Sequence, residues 1–411
     1  MNRDLVLART ACYLARMARE NFGLMGYDSY HFAVTDLERS RKFYTEKFGF
    51  KEVARVGDEL FQKSGQRSIV FGAGQVRVVV SSPDPDHPKA AECKAARYLR
   101  RHPAGVMSLS FRVQDLDRAW KTLEARGATI LSEPVEDKDE KGSYRAFEIA
   151  TPLGDVAFRY VERRGDYGRF APGFDVVDGD PFPKNVFGID CIDHVTSNAL
   201  TLAPLTLWYR EVLGMEQFWE ISFHTLDVHK DKKSEKQMAG SGLKSLVYWD
   251  PECGIKFANN EPMRPFFRDS QINKFVDDNN GAGVQHIAFN VPKILPTVEE
   301  MDHRGVDFLA TPGSYYDMLP ARLERLKIGN VQESIAEMRR LGILLDGGDD
   351  KYMLQIFLRD AGQTYSDPKA GPFFYEIIQR AGDPGFGGGN FRALFESIER
   401  EQFNKREQPY D

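Results

Sequence analysis

Two of the eight histidines open strand-like runs that recur along the chain, His194 in Ile192-Asp-His-Val-Thr196 and His286 in Val284-Gln-His-Ile-Ala-Phe289. One carboxylate, Glu376, interrupts the otherwise apolar run Phe373-Phe-Tyr-Glu-Ile-Ile-Gln379. A carboxylate taken out of water without a partner is costly, so Glu376 requires one. Two neutral imidazoles and a carboxylate that leave adjacent coordination positions open form the facial triad suited to oxygen-activating ferrous iron. That chemistry needs the three strands to line one cup. The residues alone leave two readings open, a metal site and a structural His/Glu cluster.

A repeat supplies the elements that could position them. Phe111–Gly127 runs without gaps against Phe289–Gly305 at an offset of 178, and the match extends to Pro134 and Pro312. Phe43-Tyr44 and Phe48-Gly49-Phe50 match Trp208-Tyr209 and Leu213-Gly214-Met215 at an offset of 165. Each half divides again into a strand, an amphipathic helix and three further strands. Strands are predicted near 28–35, 50–56, 67–72 and 76–82, with a helix near 37–48. The next unit has strands near 105–113, 129–132, 144–150 and 155–162 and a helix near 115–126, where Leu116, Ala119, Trp120 and Leu123 keep the helical period and Gly127 stops it. The chain therefore reads as α+β, with duplicated β-α-β-β-β units forming two half-open barrels. Subtracting 178 puts Ser108 in place of His286. His194 matches His31 once a two-residue length difference is allowed, and Glu376 matches Tyr160. The first half thus lacks at least two of the three ligands.

Boundaries follow from composition: a helical N-terminal extension over 1–26, a first barrel without a metal site over 27–164, and a linker over 165–189 rich in Gly and Pro. The second barrel, which carries the three candidate ligands, covers 190–411. It ends in a helix over 390–403, where Phe391, Leu394, Phe395 and Ile398 recur at helical spacing after the glycine-rich hinge Gly385–Asn390. The stretch His224–Ser241, rich in Lys and Asp, reads as a solvated loop. A formal charge of −6 argues against a nucleic-acid partner, and no apolar run is long enough to span a membrane. Four scattered cysteines without CxxC spacing suggest neither a disulfide framework nor a zinc site. With no secretory core near the N-terminus, a cytoplasmic location is expected.

The chain resembles the 4-hydroxyphenylpyruvate dioxygenases of the vicinal-oxygen-chelate superfamily. The resemblance rests on the order and spacing of Phe22-Gly-Leu-Met-Gly26, Ile192-Asp-His194, Asn260-Glu-Pro262, Ser270-Gln-Ile272, Gly281–His286, Tyr315-Tyr316, Leu354-Gln-Ile-Phe357, Glu376–Arg380 and Gly385–Phe391. It implies Fe(II) on His194, His286 and Glu376, a 2-oxoacid substrate that chelates the iron, and dioxygen as co-substrate. The implied reaction of tyrosine catabolism is oxidative decarboxylation, ring hydroxylation and side-chain migration to give homogentisate. Ser245, Asn260, Gln271 and Gln355 match the polar residues that serve catalysis and hold the phenol end. Gln285, Phe357, Phe374, Phe386, Asn390 and Phe391 match other substrate-binding positions, although strict alternation would point Gln285 away from the face of His286. The C-terminal helix matches a lid, and a homo-oligomer, dimer or tetramer, is the family habit.

Three other readings compete. A 4-hydroxymandelate synthase would use the same substrate and iron but hydroxylate the benzylic carbon. An extradiol ring-cleavage dioxygenase shares the duplicated fold and triad. A non-enzymatic binding protein of this fold would need no iron and take up no oxygen.

Overall fold

Every repeat opens with a strand that ends up in the middle of a sheet. In this computed structural model, which describes residues 21–177, 179–224, 242–263 and 270–390, the first half contains nine strands. They are β1 (Leu24–Ala33), β2 (Lys51–Val56), β3 (Gln66–Ala73), β4 (Val76–Pro83), β5 (Gly105–Val113), β6 (Ile130–Lys138), β7 (Gly142–Ala150), β8 (Ala157–Gly165) and β9 (Phe174–Val176), in the spatial order β6-β7-β8-β5-β1-β4-β3-β2-β9. The second half contains β10 (Ile192–Asn198), β11 (Glu216–His224), β12 (Gly242–Trp249), β13 (Lys256–Pro262), β14 (Gly283–Asn290), β15 (Leu344–Gly348), β16 (Lys351–Phe357) and β17 (Phe374–Ala381), in the order β11-β12-β13-β10-β14-β17-β16-β15. The opening strands β10 and β14 pair antiparallel with each other, and each pairs in parallel with the last strand of its own unit, β13 or β17. The first half does the same with β1, β5, β4 and β8. The α+β reading and the two half-open barrels are borne out.

Period-two alternation then sends side chains to two faces. The helix-bearing faces of both sheets share one apolar core, which joins Leu116, Ala119 and Leu123 of helix Leu116–Ala125 to Ile294, Val298 and Met301 of helix Ile294–His303. Aromatic rings bind the halves, as where Phe158 stacks on Phe257 with centroids 5.5 Å apart. Val78, Val79 and Val80 are all fully buried because β4 is covered on both sides, which is why that run does not alternate. Asp115 caps helix Leu116–Ala125 by accepting from the Arg118 N–H, and Gly127 follows at φ +86°. The opposite, concave faces of the two sheets are left to line two cups.

The hydrogen-bond register corrects the pairing of the two cups. His286 lies across from Thr196, and its counterpart Ser108 lies across from His31. His31 therefore corresponds to Thr196, at the same offset of 165 that relates the helices. The counterpart of His194 is Ser29, which faces Ser110 as His194 faces Ala288. Glu376 pairs with Ala288, and the matching partner of Ser110 is Arg159, so Arg159 rather than Tyr160 stands in the place of Glu376. None of the three ligands is repeated in the first cup.

Several elements were not anticipated. Short helices at Asp58–Ser64 and Lys94–Leu99 lie between the first-half strands, and β9, within the stretch 165–189, pairs with β2. Helices Gly313–Leu326 and Ile335–Leu341 are inserted before β15. No helix among the described residues is long and apolar enough to cross a membrane. The helical extension read over 1–26 is corrected at its end, where residues 24–26 open β1, and the loop read from His224 is corrected at its start, since His224 ends β11. Residues 1–20, 225–241 and the lid helix beyond Asn390 lie outside the described residues.

Candidate metal centre

The inner faces of β10, β14 and β17 bring His194, His286 and Glu376 together. One ligand atom from each lies within 4.8 Å of the others, and all three residues are buried. Glu376 Oε2 is 3.2 Å from His194 Nε2 and 3.3 Å from His286 Nε2. The far side of each imidazole is already committed. His194 Nδ1 is 2.8 Å from Asp193 Oδ1, and His286 Nδ1 is 3.2 Å from the side-chain carbonyl of Gln285. An Nδ1–H donated to those oxygens leaves the Nε2 lone pair facing the cup, which is the tautomer a metal ligand needs. Two imidazole nitrogens and one carboxylate, grouped on one side, fit a divalent metal with open positions toward the cavity.

The three groups also hold one another by charge and hydrogen bond, and a metal would displace the protons that the Nε2 atoms share with Glu376. Burial alone would raise Glu376, yet the charge of His194 and hydrogen bonds from both imidazoles bring it down to about 2. Burial works against a charged His194, while Glu376 and Asp193 outweigh it and lift the imidazole to about 8. Burial dominates at His286 and lowers it. Asp193, although buried, is held far below the usual carboxylate range by Arg380 and His194.

Aromatic rings wall the centre. Phe374 stacks on His286 with centroids 4.9 Å apart and Phe357 stands edge-on at 5.8 Å. Phe386 covers His194 at 4.9 Å and is itself backed by Phe218 and Trp219. Ser245 and Asn260 face each other across β12 and β13, both buried, and the Asn260 side-chain amide donates to Asn198 Oδ1 at 3.0 Å. Gln355 is buried on β16, directly beneath Gly387.

Three sequence-predicted residues fall differently. Gln285 points its carbonyl at His286 Nδ1 instead of standing free in the cup. Asn390 is buried and accepts from the Tyr315 hydroxyl at 2.8 Å and from Arg322 at 3.0 Å, so its carbonyl is engaged outside the ring of ligands. Gln271, the first residue of helix Gln271–Asp278, is exposed, and its side chain makes no hydrogen bond among the described residues. Phe391 lies outside them.

Sequence reasoning missed Asp193, Arg380 and Asn198. Asn198 is four residues beyond His194 on the same face of β10, a spacing that could have found it, and its side-chain nitrogen is buried without a partner among the described residues. Arg380 stands four beyond Glu376 on β17 in the same way.

A family model described as Glyoxalase/Bleomycin resistance protein/Dioxygenase superfamily matches residues 26–154 and 191–318, and the chain belongs to that superfamily. The 4-hydroxyphenylpyruvate dioxygenase of Dictyostelium discoideum is 32% identical over 382 residues, covering 92% of this chain and 98% of that protein. That of Danio rerio is 34% identical over 381 residues, covering 90% and 89%. A triple mutant of 4-hydroxymandelate synthase from Streptomyces coelicolor is similar in structure, with a TM-score of 0.73 at 25% identity, covering 92% of this chain and 99% of that one. Within the superfamily the chain belongs to the 4-hydroxyphenylpyruvate dioxygenases, and it is an enzyme.

Proposed function

We propose that this enzyme converts 4-hydroxyphenylpyruvate and dioxygen into homogentisate and carbon dioxide, with Fe(II) held by His194, His286 and Glu376. The observation that carries the reading is the convergence of those three donors, with both Nδ1 atoms already occupied. Bound there, the metal supplies Lewis acidity toward the 2-oxoacid group and redox chemistry with dioxygen. Phe357, Phe374 and Phe386 keep water from the reacting atoms. Ser245, Asn260 and Gln355 offer polar partners to the phenol end, where a buried hydroxyl without a hydrogen bond would cost about 1–3 kcal/mol. Asn198 extends that polar wall, and Gln271 and Phe391 are assigned to the same pocket on the strength of the sequence resemblance alone. Assembly into a dimer or tetramer and a cytoplasmic location belong to the same proposal, and size-exclusion chromatography and cell fractionation test them.

Dioxygen uptake by Fe(II)-reconstituted protein with 4-hydroxyphenylpyruvate, with the product identified by mass and retention and a Glu376→Ala control, tests the activity. Homogentisate from the wild type only supports it. The similarity to 4-hydroxymandelate synthase favours a second reading, benzylic hydroxylation, which the same assay separates by its product.

A further inference from the structure

The first cup has lost the metal ligands but not its cavity. A space of about 390 Å³ remains between the concave face of the first sheet and the helices Asp58–Ser64 and Lys94–Leu99, within the range of ligand sites. His31 and Arg159 line it from the sheet, and Lys94 and Arg97 from the second helix. The register makes Arg159 the counterpart of Glu376, so the charge at that position is reversed: a carboxylate that would hold a cation in one cup is a guanidinium in the other.

Polar groups at the floor of this cavity lack partners. Both ring nitrogens of His31 and Nε of Arg159 are out of reach of solvent and make no hydrogen bond among the described residues. The same holds for the hydroxyl of Ser108, across the strands from His31. Each such group costs about 1–3 kcal/mol if left unmade, a cost that a ligand relieves only where a small shift of His31 or Arg159 turns these atoms toward the cavity. Arg159 shares its one close carboxylate among the described residues: Glu148 lies 3.7 Å from Nη1 and is held more tightly, at 2.7 and 2.8 Å, by Lys94, so two cations face one anion. Lys89 and Arg97 add positive charge at the mouth beside Glu92, while Lys63 is paired with Glu59 at 2.7 Å. Phe174, Leu60 and Val56 supply an apolar wall beside the cations.

We infer that the first cup is a second ligand site, which takes a small organic carboxylate with its anionic end on Arg159 and its apolar body against Phe174 and Leu60. An apolar wall beside a fork of guanidinium donors suits such a molecule better than a bare inorganic anion.

Benzoate is the probe, titrated calorimetrically into the metal-loaded full chain, with inorganic phosphate as the comparison. One variant reports on each cup. Arg159→Gln should weaken benzoate binding about tenfold or more, whereas Glu376→Gln should leave it unchanged. Because Arg159 is largely buried, the double variant Lys89→Glu with Arg97→Glu, both exposed, provides a second reading: severalfold weaker binding at an unchanged melting temperature. Binding that survives Arg159→Gln but is lost in Glu376→Gln would assign the probe to the metal centre and overturn the inference. So would no heat of binding at ~10 mM benzoate, an affinity too weak for a built site, or phosphate binding as tightly as benzoate.

Discussion

Arg380 grips Asp193 with two parallel hydrogen bonds, Nε to Oδ2 and Nη2 to Oδ1, each 2.6 Å long. The same Oδ1 accepts from His194 Nδ1. Nη1 of Arg380 also donates to the carbonyls of Asp383 and Gly385, at 2.7 and 2.9 Å. One guanidinium thus fixes both the ring of a proposed metal ligand and the start of the glycine-rich segment that carries Phe386 over that ring. Partners of this kind typically contribute 10–100-fold, roughly, in metal affinity or activity. Arg380→Met should accordingly weaken Fe(II) binding by about tenfold or more, measured by competition with a chromogenic chelator. Asp193→Ala should do the same while leaving Phe386 in place. Affinity unchanged in both variants would mean that the imidazole is held by packing alone.

Metal removal should be reversible and visible in stability as well as turnover. Chelation is expected to abolish dioxygen uptake, and added Fe(II) to restore it. A ligand present at 100 times its dissociation constant stabilises the folded state by about 2.7 kcal/mol, so the metal-loaded chain should melt several degrees higher. Glu376→Ala should lose both effects, since among the described residues no other carboxylate joins the two imidazoles. A melting temperature indifferent to Fe(II) in the wild type would count against the centre.

Gly387 is the one glycine of the covering segment Gly385–Asn390 held at positive φ. Its φ is +66°, and a Cβ there would meet the Gln355 side-chain amide at 2.6 Å. Gly387→Ala therefore strains the backbone and pushes the segment off the cup or Gln355 out of it. The expected outcome is a fall in turnover by about tenfold or more, equivalent to 1.4 kcal/mol of lost transition-state stabilisation, with Fe(II) affinity retained. Steady-state kinetics beside a metal titration separates the two, and full turnover in the variant would show that the segment needs no close contact with Gln355.

Much of this was legible because repeats and periods are local signals. Gly127 and Gly305 mark equivalent helix ends, and both sit at positive φ. Alternation placed Gln355 with Phe357, and Phe374 with Glu376, on shared faces. The error at His31 shows where the signal ends. Strand register is set by hydrogen bonds between segments far apart in sequence, and aligning one histidine with another shifted the register by two residues, a slip that keeps every side chain on its face and so leaves no trace in the pattern. Asp193 and Gln285 escaped a functional reading for a related reason. Each precedes a ligand and by alternation belongs to the other face, yet each reaches around to its neighbour's Nδ1. The helix Asp58–Ser64 buries none of its residues, and Lys94–Leu99, which buries Ala95, Ala96 and Tyr98, is only six residues long, so neither carries enough apolar periodicity to be read.

The first cup also carries a buried ion pair whose loss should be felt in acid. Asp28 is almost fully buried on β1, and Arg163 of β8 donates to it and to the Phe170 carbonyl. Burial alone would raise the Asp28 carboxyl, but Arg163 outweighs it, with help from Arg77, and the group lies below its ordinary value. A carboxyl depressed in the folded state binds fewer protons there than in the unfolded chain, so its contribution to stability is complete above the unfolded value of about 3.9 and disappears as pH falls through the lower folded value. Asp28→Asn should remove that contribution and leave Arg163 and Arg77 uncompensated, at a cost of roughly 3–5 kcal/mol near neutral pH. Urea unfolding from pH 7 down to pH 3 should show the gap between wild type and variant widest at neutral pH and closing below about pH 4. A gap that stays constant across that range would mean that the side chain acts through shape and not through charge.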